Sequence, residues 1–194
     1  SGDVVLKETA YRIASCANDV RGFAAHLSGD DFAILLAYNS ETRLNEICSR
    51  LTAECSQPVI RAGHALSVSV SIAIVLSRYI SASAGMNNEQ LMLLADFVLA
   101  SARARGTGKV AYLDEELESS FVFRRSVSSC LPAALENQWI QLYFQPQIDI
   151  AIDAVCGFEA SIRWELEGTL VPTSQLFELA EESGLISKVH QYVL

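Results

Sequence analysis

Two short stretches carry the side chains most capable of chemistry. In Val155–Trp164 (VCGFEASIRW), Glu159, Ser161 and Arg163 stand at every second position, so a strand presents all three on one face, pointing into one cavity. A carboxylate there can ligate a hard divalent cation, and a guanidinium's planar fork suits phosphate. Taken alone, Glu159 reads more readily as a surface or ion-paired strand side chain. The second stretch is Ser28-Gly29-Asp30-Asp31, set between the apolar runs Phe23–Leu27 and Phe32–Tyr38. It is a hairpin signal with a glycine able to take positive φ at the tip. Acidic side chains on such a turn can hold a cation, and a glycine lets backbone N–H groups approach a phosphate. A polar turn without chemistry fits the same residues.

Other chemistry-bearing residues are bland. Gly106-Thr107-Gly108-Lys109 is no P-loop, because Arg103 stands where its first glycine belongs. Cys16, Cys48, Cys55, Cys130 and Cys156 form no C-x-x-C pair, which argues for reduced core thiols rather than structural zinc. His26, His64 and His190 are too scattered to suggest a metal triad and read as surface or strand histidines.

The 194 residues are 51% hydrophobic and 19% charged, with mean hydropathy +0.25, an ordinary globular composition able to bury a core. Fourteen Lys and Arg against 23 Asp and Glu give a net charge of −9, which argues against nucleic acid as a partner. No apolar stretch is long enough for a membrane span and no leader pattern opens the chain, so a cytoplasmic location is expected.

The elements that must position these residues follow from periodicity. Helices are expected over 4–15, over Glu41–Cys55 behind Ser40 as N-cap, and over Glu89–Arg105, capped by Asn88 and stopped by Gly106. Ala65–Leu76 (ALSVSVSIAIVL) alternates as one strand and Lys109–Leu113 as another. Phe121–Asn137 reads as a connecting helix, followed by strands at Ile140–Phe144 and Val155–Trp164 and a helix at Ser174–Leu185. The pattern predicts an α/β (α+β) layer fold with an at least partly antiparallel sheet.

The order of these pieces and their tip residues resembles tandem GGDEF–EAL proteins, which make, break or sense cyclic di-GMP. In the first half, Gly2-Asp3-Val4-Val5-Leu6 resembles the G-D-x-x-L opening the family's first long helix, and Ser28-Gly29-Asp30-Asp31-Phe32 stands at the name motif. Ser71-Ile72-Ala73, Ala95-Asp96 and Arg103-Ala104-Arg105-Gly106 resemble S-I-G, A-D and K-x-x-G. The resemblance implies a degenerate GTP site at Asp3, Gly29, Asp30 and Asp31. Ser28 replaces the first glycine, Asp31 the glutamate, Arg103 the phosphate-contacting lysine, and His26 an upstream arginine. The R-x-x-D inhibition motif falls on Asp19 to Gly22 and is absent, and the family's first strand with its own aspartate would precede Ser1. Diguanylate cyclase activity is therefore not expected.

In the second half, Tyr143-Phe144-Gln145-Pro146 resembles Y-x-Q-P, and Gly157–Trp164 resembles G-x-E-A-L-x-R-W with Ser161 in place of the leucine. Val171-Pro172 and Leu179–Ile186 resemble V-x-P and L-A-E-x-x-G-L-I. The resemblance implies Glu159 as a ligand to Mg²⁺ or Mn²⁺, and Gln145 and Arg163 as cyclic di-GMP contacts. It gives a degenerate GGDEF domain over 1–118 lacking its first strand, a linker helix over 119–137, and the start of an EAL-type (β/α)₈ barrel over 138–194. Such a barrel needs at least about 200 residues. The resemblance thus places the other metal ligands, the catalytic lysine and the lid loop past Leu194, so no complete catalytic set is expected here. It also implies that the open edge is covered by a homodimer partner or by the rest of its own barrel. The function implied for the parent protein is metal-dependent cyclic di-GMP hydrolysis with a regulatory GGDEF half. The alternative is a non-enzymatic cyclic di-GMP receptor.

Overall fold

The computed structural model describes residues 2–61, 63–76 and 87–193, which form two compact units, 1–114 and 115–194. The α/β expectation holds for both, and the described residues contain no closed barrel.

In the first unit, α1 (Gly2–Asp19) buries Thr9, Ile13, Cys16 and Ala17, a spacing that puts one stripe against the strands. The hairpin follows, with β1 (Phe23–Ser28) antiparallel to β2 (Asp31–Leu35). Ser28 pairs with Asp31, a bulge interrupts the ladder between His26 and Ser28, and Gly29 at the tip has φ +53°. Helix α2 spans Glu41–Cys55 with the expected cap, the Ser40 hydroxyl accepting from the Arg43 amide at 3.2 Å. It buries Leu44, Ile47, Cys48, Leu51 and Cys55.

The strand expected over Ala65–Leu76 is two pieces instead. β4 (His64–Leu66) pairs antiparallel with β3 (Val59–Arg61), while β5 (Ile72–Ile74) pairs parallel with β6 (Val110–Tyr112). The alternating residues between β4 and β5 have no ladder partner among the described residues, so periodicity alone did not make them strand. Helix α3 (Asn88–Ala104) is capped one residue earlier than expected. Asn87 and Gln90 form a reciprocal capping box at 2.9 and 3.0 Å, and Gly106 stops the helix at φ +114°.

Apolar clusters among the described residues help hold this unit. Ile13, Cys16, Leu51 and Cys55 meet Phe32, Ile34, Val70 and Ile72, so α1 and α2 cover both the hairpin and β5. Leu44, Cys48, Ile74 and Leu76 form another cluster. Arg12 adds a polar tie between the helices, because its Nη1 donates to the Glu54 carbonyl at 3.1 Å and to those of Cys55 and Gln57. Its side chain thereby serves carbonyls at and just past the end of α2.

The second unit begins with α4 (Glu115–Glu136), which starts ahead of the expected connecting helix. A long hairpin follows, β7 (Gln141–Asp149) against β8 (Ala154–Leu166), then β9 (Thr169–Val171), α5 (Thr173–Glu182) and α6 (Ile186–Val193). The β7–β8 register runs regularly from Gln141↔Arg163 to Gln147↔Gly157. It then shifts so that Ile148 pairs with Val155, leaving Cys156 as the extra residue of a bulge. The core joins Val127, Leu131 and Ala134 of α4 to Ile162 and Trp164 of β8 and to Leu176, Leu179, Ala180 and Val189. Arg124 ties α4 to α5 through Glu178 at 3.2 Å and Glu182 at 2.6 Å. The Tyr192 hydroxyl donates to the Ile140 carbonyl at 2.5 Å.

Candidate functional site

The hairpin tip of the first unit brings Gly29, Asp30 and Asp31 together, as their adjacency requires, and adds a residue from far along the chain. Arg103, in the last turn of α3, donates from Nη2 to Asp31 Oδ1 at 2.9 Å. Both side chains remain substantially solvent-exposed, so the pair is screened. His26, itself exposed, contacts the turn: its ring lies 4.7 Å from that of Phe32, and Nε2 is 3.0 Å from the Gly29 carbonyl. Asp3 is exposed in the first turn of α1 and shares no hydrogen bond or ion pair with the tip among the described residues. An open cavity of about 560 Å³ at the start of α2, lined in part by Tyr38, Ser40, Arg43 and Glu46, includes none of these positions.

In the second unit, Gln145 and Glu159 are directly opposed in the β7–β8 ladder. Cross-strand partners of this kind have Cβ atoms about 5 Å apart. Ser161 opposes Tyr143, and Arg163 opposes Gln141, so all six side chains lie on one sheet face. The opposite face carries Leu142, Ile162 and Trp164 into the core. The chemistry-bearing face is exposed to solvent rather than lining a cavity, because the packing helices lie on the other side. The Glu159 and Gln145 side chains have no hydrogen-bond or ion-pair partner among the described residues and are open to a ligand. Arg163 lies with Cζ 5.6 Å from the centre of the Tyr143 ring and 4.0 Å from Glu165 Oε1 through Nη2.

Sequence reading missed two contacts, Arg103 with Asp31 and Arg163 with Tyr143. The second had a visible signal, an aromatic residue diagonal to an arginine across a hairpin. The first had none, since its partners are 72 positions apart. Among the described residues, no group of three or more His, Cys, Asp or Glu side chains could hold a metal ion. No helix there is long and apolar enough to cross a membrane. Burial raises the thiols of Cys16, Cys48 and Cys55, the last to about 11, in keeping with core residues.

Comparison with known proteins bears on this arrangement. The family model described as "Diguanylate cyclase, GGDEF domain" matches residues 1–109, and that of the EAL domain matches residues 129–194. The signaling protein YkoW of Bacillus subtilis is 31% identical over 196 residues, covering all of this chain and 24% of YkoW. MucR of Pseudomonas aeruginosa, named a bifunctional diguanylate cyclase/cyclic di-GMP phosphodiesterase, is 27% identical and is covered over 28% of its length. A solved Vibrio cholerae LapD S helix–GGDEF–EAL structure bound to cyclic di-GMP aligns with 94% of this chain and 42% of its own, at 15% identity and TM-score 0.45. The chain spans about a quarter of the length of these curated relatives. With the GGDEF model covering more than half of it and the EAL model following in order, the chain belongs to the tandem GGDEF–EAL family of cyclic di-GMP signalling proteins.

Proposed function

We propose that this chain is the junction of a cyclic di-GMP phosphodiesterase, with a non-catalytic GGDEF half that regulates an EAL half. The observation that carries the reading is the unpartnered Glu159–Gln145 pair on the same open sheet face as Arg163. Glu159 offers hard oxygen donors suited to Mg²⁺ or Mn²⁺, and as one carboxylate it would be one ligand among several. When bound, such a metal supplies charge stabilisation at the phosphodiester and lowers the pKa of water. Arg163 would pair with a phosphate through charge-assisted hydrogen bonds, and the Gln145 amide can both donate to and accept from the dinucleotide. The name of MucR, which includes cyclic di-GMP phosphodiesterase, supports the same reading.

In the GGDEF half, Asp31 is already engaged by Arg103, and Ser28 adds a side chain to the turn. These features weigh against making cyclic di-GMP; GTP held without turnover at the degenerate positions Asp3, Gly29, Asp30 and Asp31 is the reading we carry for this half. Domain limits near 118 and 138, homodimer contact and a cytoplasmic setting belong to the same proposal.

The test is the full-length protein incubated with cyclic di-GMP and Mg²⁺ or Mn²⁺, with the linear product followed by chromatography. Hydrolysis by the wild type and its loss in Glu159→Ala is the expected result. Tight binding without turnover would instead favour the receptor reading, to which the Ser161 departure also points. Neither binding nor turnover would overturn both.

A further inference from the structure

Arg163 reaches its ring contact through a particular arrangement of neighbours. Tyr143 lies opposite Ser161 in the ladder, and Arg163, two residues along β8, is its diagonal neighbour on the same face. Ser161 places only a hydroxymethyl group across from the ring, so the ring is left uncovered and the longer Arg163 side chain comes to it. The Cζ-to-centroid distance of 5.6 Å lies within cation–π range. The Tyr143 hydroxyl donates to Gln141 Oε1 at 3.2 Å, and Gln141 is the ladder partner of Arg163. Tyr143 therefore touches Gln141 on its own strand and Arg163 on the next.

We propose that Tyr143 is a positioning residue that holds Arg163 ready for a phosphate of the bound dinucleotide, acting through the guanidinium rather than on the ligand. The proposal rests on the function argued above and deepens it at that same face. An unrestrained arginine samples many rotamers, and ordering it on binding lowers affinity. A ring contact restrains the cation without consuming any of its five N–H donors, whereas a carboxylate partner would occupy them. The competing carboxylate, Glu165, is only at the 4.0 Å limit and well exposed, so it neutralises Arg163 weakly.

The experiment titrates cyclic di-GMP into the full-length protein with a chelator present, so that binding is read without turnover. Wild type is compared with Tyr143→Leu, Tyr143→Phe, Arg163→Ala and the Tyr143→Leu/Arg163→Ala double variant. Tyr143→Leu is expected to weaken binding about two- to fivefold, the range of an exposed cation–π contact. Tyr143→Phe, which keeps the ring, should bind within about twofold of wild type. In the Arg163→Ala background, Tyr143→Leu should have no further effect, as for two residues acting as a unit. The proposal is overturned if Tyr143→Leu costs the same with and without Arg163, or if Tyr143→Phe is as weak as Tyr143→Leu. Binding that depends on Arg163 but ignores Tyr143 sinks this inference alone. A wild type that does not bind removes the underlying reading, and this one with it.

Discussion

Arg103 and Asp31, 72 positions apart in the chain, meet at 2.9 Å where the end of α3 reaches the β1–β2 turn. The acidic tip therefore carries a cation supplied by the protein itself. Because both partners are well exposed, the pair is worth little to the fold. Arg103→Ala should change unfolding free energy by less than about 1 kcal/mol in urea denaturation. A loss several times larger would mean that the contact organises the unit.

Trp164 is a different case. It is 2% exposed and sits amid the apolar residues that join β8 to α4, α5 and α6. Trp164→Ala should destabilise the second unit by about 3–5 kcal/mol, from lost burial and the cavity left behind. Denaturation followed by Trp139 fluorescence would measure it, since Trp139 is half exposed and also lies in that unit. A change below about 1 kcal/mol would contradict the packing described.

Arg12 serves three carbonyls at the end of α2 with one guanidinium nitrogen, and its side chain is only 13% exposed. Arg12→Ala removes that donor and should cost about 0.5–1.5 kcal/mol, the net worth of a hydrogen-bonded tie whose acceptors are partly exposed. Arg12→Lys should recover only part of this, because a single ammonium cannot reproduce the fork that also meets Glu8. Hydrogen exchange near Cys55 would show whether the helix end frays as predicted.

The buried thiols give stability a pH dependence. Burial, with a smaller contribution from Cys16, raises Cys55 from the ordinary thiol value of 9.0 to about 11, so the fold binds its proton more tightly than the unfolded chain does. The associated stabilisation is fully present below pH 9 and is lost as pH climbs from about 9 to about 11, where unfolded thiols ionise first. Urea midpoints should fall across that window and fall less for Cys55→Ala. Alkylation at neutral pH should strike exposed Cys156 before Cys16, Cys48 or Cys55. An unchanged midpoint slope in Cys55→Ala would remove Cys55 as its source.

Local signals in the sequence located what local physics determines. Ser40 and the spacing from Leu44 to Cys55 fix α2 at the expected residues, and Gly29 marks the hairpin tip. Alternation around Glu159 placed Glu159, Ser161 and Arg163 on one face. What could not be read depends on partners. Residues 67–71 alternate like a strand yet have no ladder neighbour among the described residues, while β3 and β9, each three residues long, are too short to carry a period. α6 was missed because Gly184 and Leu185 end one helical pattern just before another starts. The openness of the Glu159 face likewise follows from which side α4 and α5 occupy, a tertiary choice that alternation leaves undetermined.

The bulge at Cys156 gives the long hairpin an asymmetric tolerance to insertions and deletions. Beyond it, toward residues 150–153, a residue gained or lost can be taken up by redrawing the turn and the bulge, leaving Gln145 opposite Glu159. Between the bulge and Arg163 there is no such slack, and one added residue would invert the strand's parity, sending Glu159 or Arg163 to the face that holds Trp164. Length variation among descendants of this sequence should therefore collect at the tip and spare the stem.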